Sequence, residues 1–295
     1  MIKEFAVEPK AIVGSYRDFS YVIEKFGVCE GRVISRFPKT WKRLVYEAAQ
    51  ARHRGTVEGR RIEERLNRLP DEVLIAMSRP AGNGEWIEVA IAEHQRQPFD
   101  YLLTNARQGF AEAVPVENLD GEHPCLQITR EISIPREPEA MASACAFLLK
   151  TAKVIKLIDP HLDFSKSRFR EPFKAFMKHV RAGTQIEIYR GIDDGGPSPE
   201  FLRQNAERFL QTALPAGVHA RILLLPAETM HNRFLLTDLG GIKFGVGLDA
   251  AGDNAAPEDE LSLMVPDVWQ SRRGHYSGGE LLGEWAGPPQ LPTCR

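Results

Sequence analysis

The spacing of hydrophobic residues changes along the chain and divides it into two regions. Over residues 15–77, apolar side chains such as Tyr16, Phe19 and Val22 recur at intervals of three and four, which is the pattern of helices with one buried face. The same spacing predicts helices over 33–45, 57–76 and 85–95. A short strand is predicted over 99–103. We therefore expect residues 1–120 to form a mainly helical N-terminal domain.

From residue 126 onward, strands and helices alternate. The run 154–158 is almost continuously apolar, as is typical of a parallel strand that is buried on both faces. The surrounding pattern predicts strands over 126–134, 185–189, 220–225, 231–237, 242–248 and 261–265, and helices over 137–151, 169–179 and 199–214. Such alternation favours an α/β fold, a mixed sheet flanked by helices. We expect this second domain to span residues 121–295, with a short proline-rich tail at its C-terminus.

The composition is that of an ordinary globular protein. Of its 295 residues, 43% are hydrophobic and 26% are charged, and no apolar run approaches the roughly eighteen residues that span a bilayer. Without an apolar export segment at the start, we expect a cytoplasmic protein with no membrane partner. The four cysteines lie far apart, with no spacing typical of a disulfide framework or a zinc site.

The net charge of −2 conceals an asymmetry. Residues 1–70 contain 15 basic and 9 acidic residues, a balance of +6, so the remaining chain carries about −8. The predicted third helix is the most basic segment and contains Arg60, Arg61, Arg65 and Arg68. These arginines suit the phosphate backbone of a nucleic acid. The alternative is a solvated helix face, which Glu58, Glu63 and Glu64 would balance.

The candidate chemistry lies in residues 231–249. In a strand, side chains two residues apart share a face, so His231 and Arg233 would direct an imidazole and a permanent cation at one place. That pair suits a phosphate group. Together with Asp238, these residues have the spacing H-x-R-x4-D.

This spacing resembles the H-x-K-x4-D motif of the phospholipase D superfamily, with arginine in place of lysine. In that family a G-S-x-N segment follows. Here Gly245 matches its glycine, while Val246 and Leu248 stand at the serine and asparagine positions. The chain is similar to single-motif, nuclease-like members, and the resemblance implies a phospholipase D-like mixed sheet flanked by helices in the second domain.

The resemblance implies a metal-independent phosphodiesterase without a cofactor, a nuclease acting on DNA or RNA. His231 would attack phosphorus to form a phosphohistidine, a second histidine would protonate the leaving oxygen, and Arg233 would hold the phosphate oxygens. With only one motif in the chain, the family arrangement is a homodimer in which two copies of His231 face each other. Glu260 is the expected carboxylate that orients the histidine, with Asp259 as the fallback, and Asp238 is expected in an ion-pair or structural role within the motif.

Several other residues are candidates for substrate binding. Lys243 and the backbone N–H groups at Gly245 and Gly247 are expected to contact phosphate, and His161 follows a buried strand, where ligand-binding residues of α/β folds concentrate. The apolar Val246 and Leu248 keep an alternative open, a catalytically degenerate protein that binds nucleic acid or scaffolds other protein subunits. A role in bacterial antiviral defence rests on analogy with the family alone.

Overall fold

The computed structural model describes residues 1–80, 82, 84–252 and 255–289, and the chain forms two compact units, Met1–Thr129 and Arg130–Arg295. The division lies at Thr129 rather than near residue 120. Part of the predicted tail, residues 290–295, lies outside the described residues.

The first unit contains a parallel sheet that the hydrophobic pattern did not indicate. Its five strands have the order β3-β2-β1-β4-β5, and every described pair is parallel. The strands are β1 (Lys3–Val7), β2 (Arg32–Ser35), β3 (Leu74–Ile75), β4 (Tyr101–Thr104) and β5 (Ala113–Pro115), and the helices are α1 (Tyr16–Glu24), α2 (Trp41–His53), α3 (Val57–Asn67) and α4 (Trp86–Arg96).

The prediction of a mainly helical N-terminal domain was therefore wrong, because it did not include this five-stranded sheet. All four residues of β2 are buried, so this strand shows no alternation of polar and apolar positions. Its valine and isoleucine merge in the sequence with the apolar stripe of α2, and the two elements together were predicted as one helix. Helices α1 and α3 begin at side-chain caps, because Ser15 and Thr56 accept N–H groups of the first turn.

The second unit is built on an eight-stranded mixed sheet in the order β13-β9-β8-β7-β10-β11-β12-β6. Its strands are β6 (Glu131–Pro135), β7 (Val154–Ile158), β8 (Gln185–Ile192), β9 (His219–Pro226), β10 (Arg233–Thr237), β11 (Gly241–Phe244), β12 (Glu258–Leu263) and β13 (Glu280–Ala286), and its helices are α5 (Pro138–Thr151), α6 (Ser167–Met177), α7 (Pro199–Ala213) and α8 (Pro266–His275). The expected α/β fold with a mixed sheet is confirmed.

Two elements near the end of the chain were not predicted. The edge strand β13 is largely exposed, so it lacks an apolar face. Helix α8 has few apolar residues, but it is anchored where the Trp269 indole N–H donates to the Thr237 carbonyl oxygen at 3.1 Å. Trp269 and Tyr276 are buried, so both rings belong to the core.

The topology brings several chain segments to one edge of the larger sheet. Strands β7 and β8 are parallel and end there, while the antiparallel β10 begins there, with Phe234 opposite Ile158. Strand β11 ends and β12 begins at the same side, because β11 runs antiparallel to both neighbours. We call this side the carboxyl edge, since the parallel strands end on it. In the described part of the chain, no helix is long and apolar enough to cross a membrane.

Candidate functional site

Arg233 and Asp159 form the centre of the carboxyl edge. Arg233 is the first residue of β10, and the register of Phe234 with Ile158 places it beside Asp159, the first residue beyond β7. The Asp159 carboxylate is buried, and it accepts the N–H groups of Leu248 at 2.9 Å and His161 at 2.8 Å. Burial raises the pKa of Asp159 above its ordinary value, while these hydrogen bonds and the charge of Arg233 oppose that rise.

The guanidinium of Arg233 has unused hydrogen-bonding capacity. One terminal nitrogen donates to the His231 carbonyl oxygen over 3.4 Å, which is a long hydrogen bond. Its Nε is buried and has no hydrogen-bond partner among the residues that the structure describes. The Nε atoms of Arg136 and Arg170 are unpaired in the same way, so an anionic ligand would be held by the terminal nitrogens of the half-buried Arg233 rather than by its Nε.

Asp259 holds the loop that follows β11. Its Oδ1 accepts the N–H groups of Gly245 at 2.9 Å and Val246 at 2.8 Å, and its Oδ2 accepts that of Gly247 at 3.4 Å. The expectation that the Gly245 and Gly247 N–H groups are open to phosphate was therefore wrong for this state of the loop, because a buried carboxylate already occupies them.

The two glycines permit this arrangement by their lack of a side chain. A Cβ atom at Gly245 would lie 2.9 Å from Asp259 Oδ1. At Gly247 it would lie 2.6 Å from Asp249 Oδ1 and 3.2 Å from Asp159 Oδ2. The G-x-G sequence is thus explained by the close approach of three carboxylates to the loop.

The alternation expected across residues 242–248 ends early. Strand β11 stops at Phe244, where the chain turns around Asp259. Val246 is consequently 38% exposed rather than part of the core, whereas Leu248 is buried as expected. Lys243 is exposed and pairs with Phe234, while Arg233 pairs with Phe244. Paired residues share a face, so Lys243 projects from the side of the sheet opposite to Arg233.

The two acidic residues Glu260 and Asp238 differ in how they meet their expected roles. Glu260 is exposed, and its carboxylate makes no hydrogen bond or ion pair within the described ranges. The buried neighbour Asp259 faces the loop after β11, so the fallback residue is the one that reaches the carboxyl edge. Asp238 lies at the opposite end of β10 and accepts the backbone N–H groups of Lys153 at 3.0 Å and Val154 at 3.1 Å. It has the structural role and is not part of the site.

His231 and His161 both lie at the carboxyl edge and are exposed. His231 precedes β10 and His161 follows β7, and hydrogen bonds are found only for the main-chain atoms of these two residues in the described chain. Both imidazoles are therefore accessible to a ligand at this edge.

An outer group of arginines and acids was not predicted. Asp249 forms ion pairs with Arg136 at 2.8 Å and Arg168 at 3.5 Å. Arg190, near the end of β8, is buried, and its Nε donates to the Leu162 carbonyl oxygen at 2.8 Å. Burial lowers the pKa of Arg190, opposed by nearby aspartates. The available signal in the sequence was an arginine near the end of a predicted strand, where ligand-binding residues of α/β folds concentrate.

The arginines predicted to bind nucleic acid share the exposed side of α3 and its C-terminal cap. Arg61 lies over the ring of Tyr16 at 4.0 Å, and Arg65 pairs with Glu24 at 3.4 Å. Arg60 and Arg68 are exposed, and the described residues provide no ion pair for them. Two of the four guanidinium groups are thus engaged within the unit, and two face solvent.

The cysteines form no described disulfide. Cys29, Cys125 and Cys145 are buried and free of disulfides, while Cys294 lies outside the described residues. Burial raises the pKa of Cys125 to about 11, so this thiol stays protonated near neutral pH. Within residues 1–80, 82, 84–252 and 255–289, no group of three or more His, Cys, Asp or Glu side chains is arranged to hold a metal ion.

Comparison with known proteins yields only distant structural similarity. No protein-family model and no curated protein matches the chain. One similar solved structure is TrmBL2, an archaeal chromatin protein, with 12% identity, a TM-score of 0.26 and coverage of 50% of this chain and 51% of that one. Another is the polyphosphate kinase of Porphyromonas gingivalis, with 13% identity, a TM-score of 0.33 and coverage of 51% and 26%. The matches thus span about half and about a quarter of those proteins.

Proposed function

We propose that the carboxyl edge binds a phosphodiester and hydrolyses it without a metal ion, with His231 as the nucleophile. The observation that carries this proposal is the half-buried Arg233 guanidinium, which forms no ion pair in the described chain and follows the exposed His231 by two residues. A guanidinium can hold two non-bridging phosphate oxygens at once, and a histidine nitrogen can form a covalent bond to phosphorus. The motif H-x-R-x4-D supports the same chemistry by its resemblance to the phospholipase D superfamily.

The buried acids restrict where a phosphate can bind. Asp159 and Asp259 already accept the N–H groups of the loop after β11, so an anion placed in that loop would meet two carboxylates. The terminal Arg233 nitrogen that donates to the His231 carbonyl oxygen points away from that loop's donors toward the chain that precedes β10. We therefore place the phosphate between the guanidinium and the imidazole rather than in the glycine loop.

Nucleic acid is the proposed substrate class. A nucleic-acid chain presents repeated phosphates to cationic side chains, and exposed Arg60 and Arg68 offer such side chains within residues 1–70, the basic part of the first unit. A cleaving enzyme of this type is a nuclease for DNA or RNA. Its second histidine comes either from His231 of a second copy, as the family resemblance implies, or from the same chain.

A second candidate function is binding without cleavage. It is favoured by Asp259, which occupies the backbone donors that could otherwise stabilise a developing negative charge on phosphate. In this case Arg233 would still attract the substrate, but His231 would form no covalent intermediate. The protein would then act as a nucleic-acid-binding or scaffold subunit.

Hydrolysis in the presence of a chelator separates the two candidates. We expect the purified protein to cleave bis(p-nitrophenyl) phosphate and single- or double-stranded oligonucleotides in EDTA. His231→Ala should lower turnover by roughly 1,000-fold or more, as is typical of a lost nucleophile, with unchanged thermal unfolding. His219→Ala is the matched control, because this exposed histidine begins β9 at the opposite end of the parallel strands.

Substitution of Arg233 tests how the anion is held. Arg233→Lys keeps the charge but loses the paired donors, so KM should rise by about 10-fold, and Arg233→Ala should raise it further. Oligonucleotide binding that depends on Arg233, with no turnover in the wild-type protein, would support the binding function. Full turnover in His231→Ala would exclude His231 as the nucleophile.

A further inference from the structure

We propose that His161 is the second imidazole of this site, so that one chain supplies both the nucleophile His231 and the group that protonates the leaving oxygen. The inference rests on the proposed function. It replaces the expected homodimeric site, in which two copies of His231 face each other, with a site that is complete in a single protomer.

The register of two neighbouring strands brings the histidines to the same place. Strands β7 and β10 are antiparallel, with Phe234 opposite Ile158. One residue after Ile158 and one residue before Phe234, Asp159 and Arg233 lie beside each other. The effect of the Arg233 charge on the pKa of the Asp159 carboxyl agrees with this proximity. His231 lies two residues before Arg233, and His161 lies two residues beyond Asp159. Since neighbouring strands are about 4.8 Å apart, both histidines flank the same pair.

The main chain at His161 is held in position. Its N–H group donates to Asp159 Oδ1 at 2.8 Å, and the N–H group of Leu162 donates to the Asp159 carbonyl oxygen at 3.3 Å, which closes a tight turn. The Pro160 carbonyl oxygen accepts the N–H group of Gly191 on β8 at 3.2 Å. The exposed imidazole thus projects from a fixed backbone rather than from a loose loop.

Asp159 links the proposed groups. Its carboxylate is buried beside Arg233 and holds the turn that carries His161. The carboxylate that lies next to the anion-binding guanidinium in the strand register therefore also holds the turn of the proton donor. In the described chain neither imidazole has a hydrogen bond or an ion pair, so both are available for chemistry.

The reaction balances with these two residues and water. A His231 ring nitrogen attacks phosphorus, the P–N bond forms, the bond between phosphorus and the leaving oxygen breaks, and protonated His161 transfers its proton to that oxygen. Neutral His161 then takes a proton from water as the water oxygen bonds to phosphorus and the P–N bond breaks. The net change converts a phosphodiester and water into a phosphomonoester and an alcohol, and both histidines return to their initial states.

The decisive experiment compares leaving groups in the full-length protein. An alcohol leaving group needs a proton, whereas p-nitrophenolate departs without one. His161→Ala should therefore lower oligonucleotide cleavage by about 100-fold to 10,000-fold, the range of general acid catalysis. With bis(p-nitrophenyl) phosphate the same variant should release p-nitrophenolate in a rapid burst of one equivalent per chain, followed by slow turnover because water is no longer activated.

Two further variants keep the test independent of folding. His161→Asn preserves the backbone hydrogen bond to Asp159 but cannot transfer a proton, so it should behave like His161→Ala. His219→Ala should behave like the wild type in both assays. Thermal unfolding should be unchanged in all three variants.

The outcomes distinguish this inference from the proposed function. Oligonucleotide cleavage by His161→Ala within about threefold of the wild type, or a burst of one equivalent per two chains, would overturn the role of His161 while leaving His231 as the nucleophile. Absence of a burst in every protein, including the wild type, together with absence of turnover, would overturn the proposed function and this inference with it.

Discussion

Two groups of charged residues lie on the eight-stranded sheet, and they differ in how their charges are satisfied. In the middle of the sheet, Lys156, Glu187 and Arg221 are register partners across β7, β8 and β9. Glu187 forms ion pairs with Lys156 at 3.1 Å and Arg221 at 2.6 Å, and it accepts the Tyr189 hydroxyl at 2.9 Å. We call these three residues the central row. Its charges complement each other.

At the carboxyl edge the charged side chains are not paired with each other in this way. The acids Asp159 and Asp259 are satisfied mainly by backbone N–H groups, while Arg233 keeps a buried donor without an acceptor in the described chain. His161 and His231 are exposed beside it. The comparison indicates that the charges of the central row are paired with each other, whereas the cationic groups and imidazoles of the edge are those that we propose to bind a ligand.

The largest effect on stability is expected in the central row. Glu187→Leu would leave the buried Lys156 ammonium without its carboxylate, and removing one partner of a buried pair costs about 3 kcal/mol or more. The measurement is the free energy of unfolding in a denaturant series. Lys156→Met combined with Glu187→Leu should recover most of the loss, since it removes both charges. A loss below about 0.5 kcal/mol in the single variant would show that the central row is not a stabilising network.

A smaller loss of stability, with a gain in binding, is expected at the edge. Asp259→Ala removes the acceptor of the Val246 N–H group and one of the two acceptors of the Gly245 N–H group, which also donates to the Glu260 carbonyl oxygen at 3.1 Å. This loss should cost about 1–3 kcal/mol in unfolding free energy. The freed donors and the lost negative charge should at the same time increase the affinity for inorganic phosphate. Thermal unfolding with and without phosphate measures both effects. Weaker phosphate binding in this variant would contradict the placement of Asp259 as a competitor of the anion.

The contribution of the central row to the free energy of unfolding should depend on pH through Glu187. Burial opposes ionisation of Glu187, but hydrogen bonds from Arg221, Tyr189 and Lys156 outweigh it and lower the pKa below the ordinary value of 4.5. Because the folded state favours the ionised form, this stabilisation is fully present above pH 4.5 and is lost as the pH falls through the folded-state pKa. The difference in unfolding free energy between the wild type and Glu187→Gln should therefore shrink below pH 4.5. A constant difference from pH 6 to pH 3 would contradict this assignment.

The smallest effect is expected in the first unit. If Arg60 and Arg68 each contact one phosphate, replacing both by alanine should reduce the salt dependence of oligonucleotide binding by about two units of slope. The pair Arg52→Ala and Arg54→Ala is the control, since these arginines lie outside the proposed group. An unchanged slope would support the alternative of a solvated helix face.

Much of the second unit could be predicted because its strands are either buried on both faces or regularly alternating. Strand β7 has the predicted bounds, 154–158. The first unit was less predictable because its strands are two to five residues long, too short for a period to be distinguished from that of a helix.

At the candidate site, the spacing predicted His231 and Arg233 as functional residues, and this stays a prediction, whereas it did not indicate which carboxylate is buried at the carboxyl edge. Asp259 and Glu260 are adjacent, and a shift of one residue in a strand exchanges the two faces, so the choice depended on where β12 begins. The contacts of Asp159 and Asp259 with the glycine loop depend on strands that are distant in sequence. Local patterns carry no information about such contacts.

The most direct test of the central claim is detection of phosphate bound covalently to His231. The protein is mixed with a labelled oligonucleotide in EDTA, denatured rapidly in alkali, in which phosphohistidine survives, and digested for mass spectrometry. We predict a phosphorylated adduct on the peptide that contains His231, absent from His231→Ala and more abundant in His161→Ala with a p-nitrophenyl ester. Chelator-resistant cleavage by a wild-type protein that forms no adduct at His231 would contradict this account.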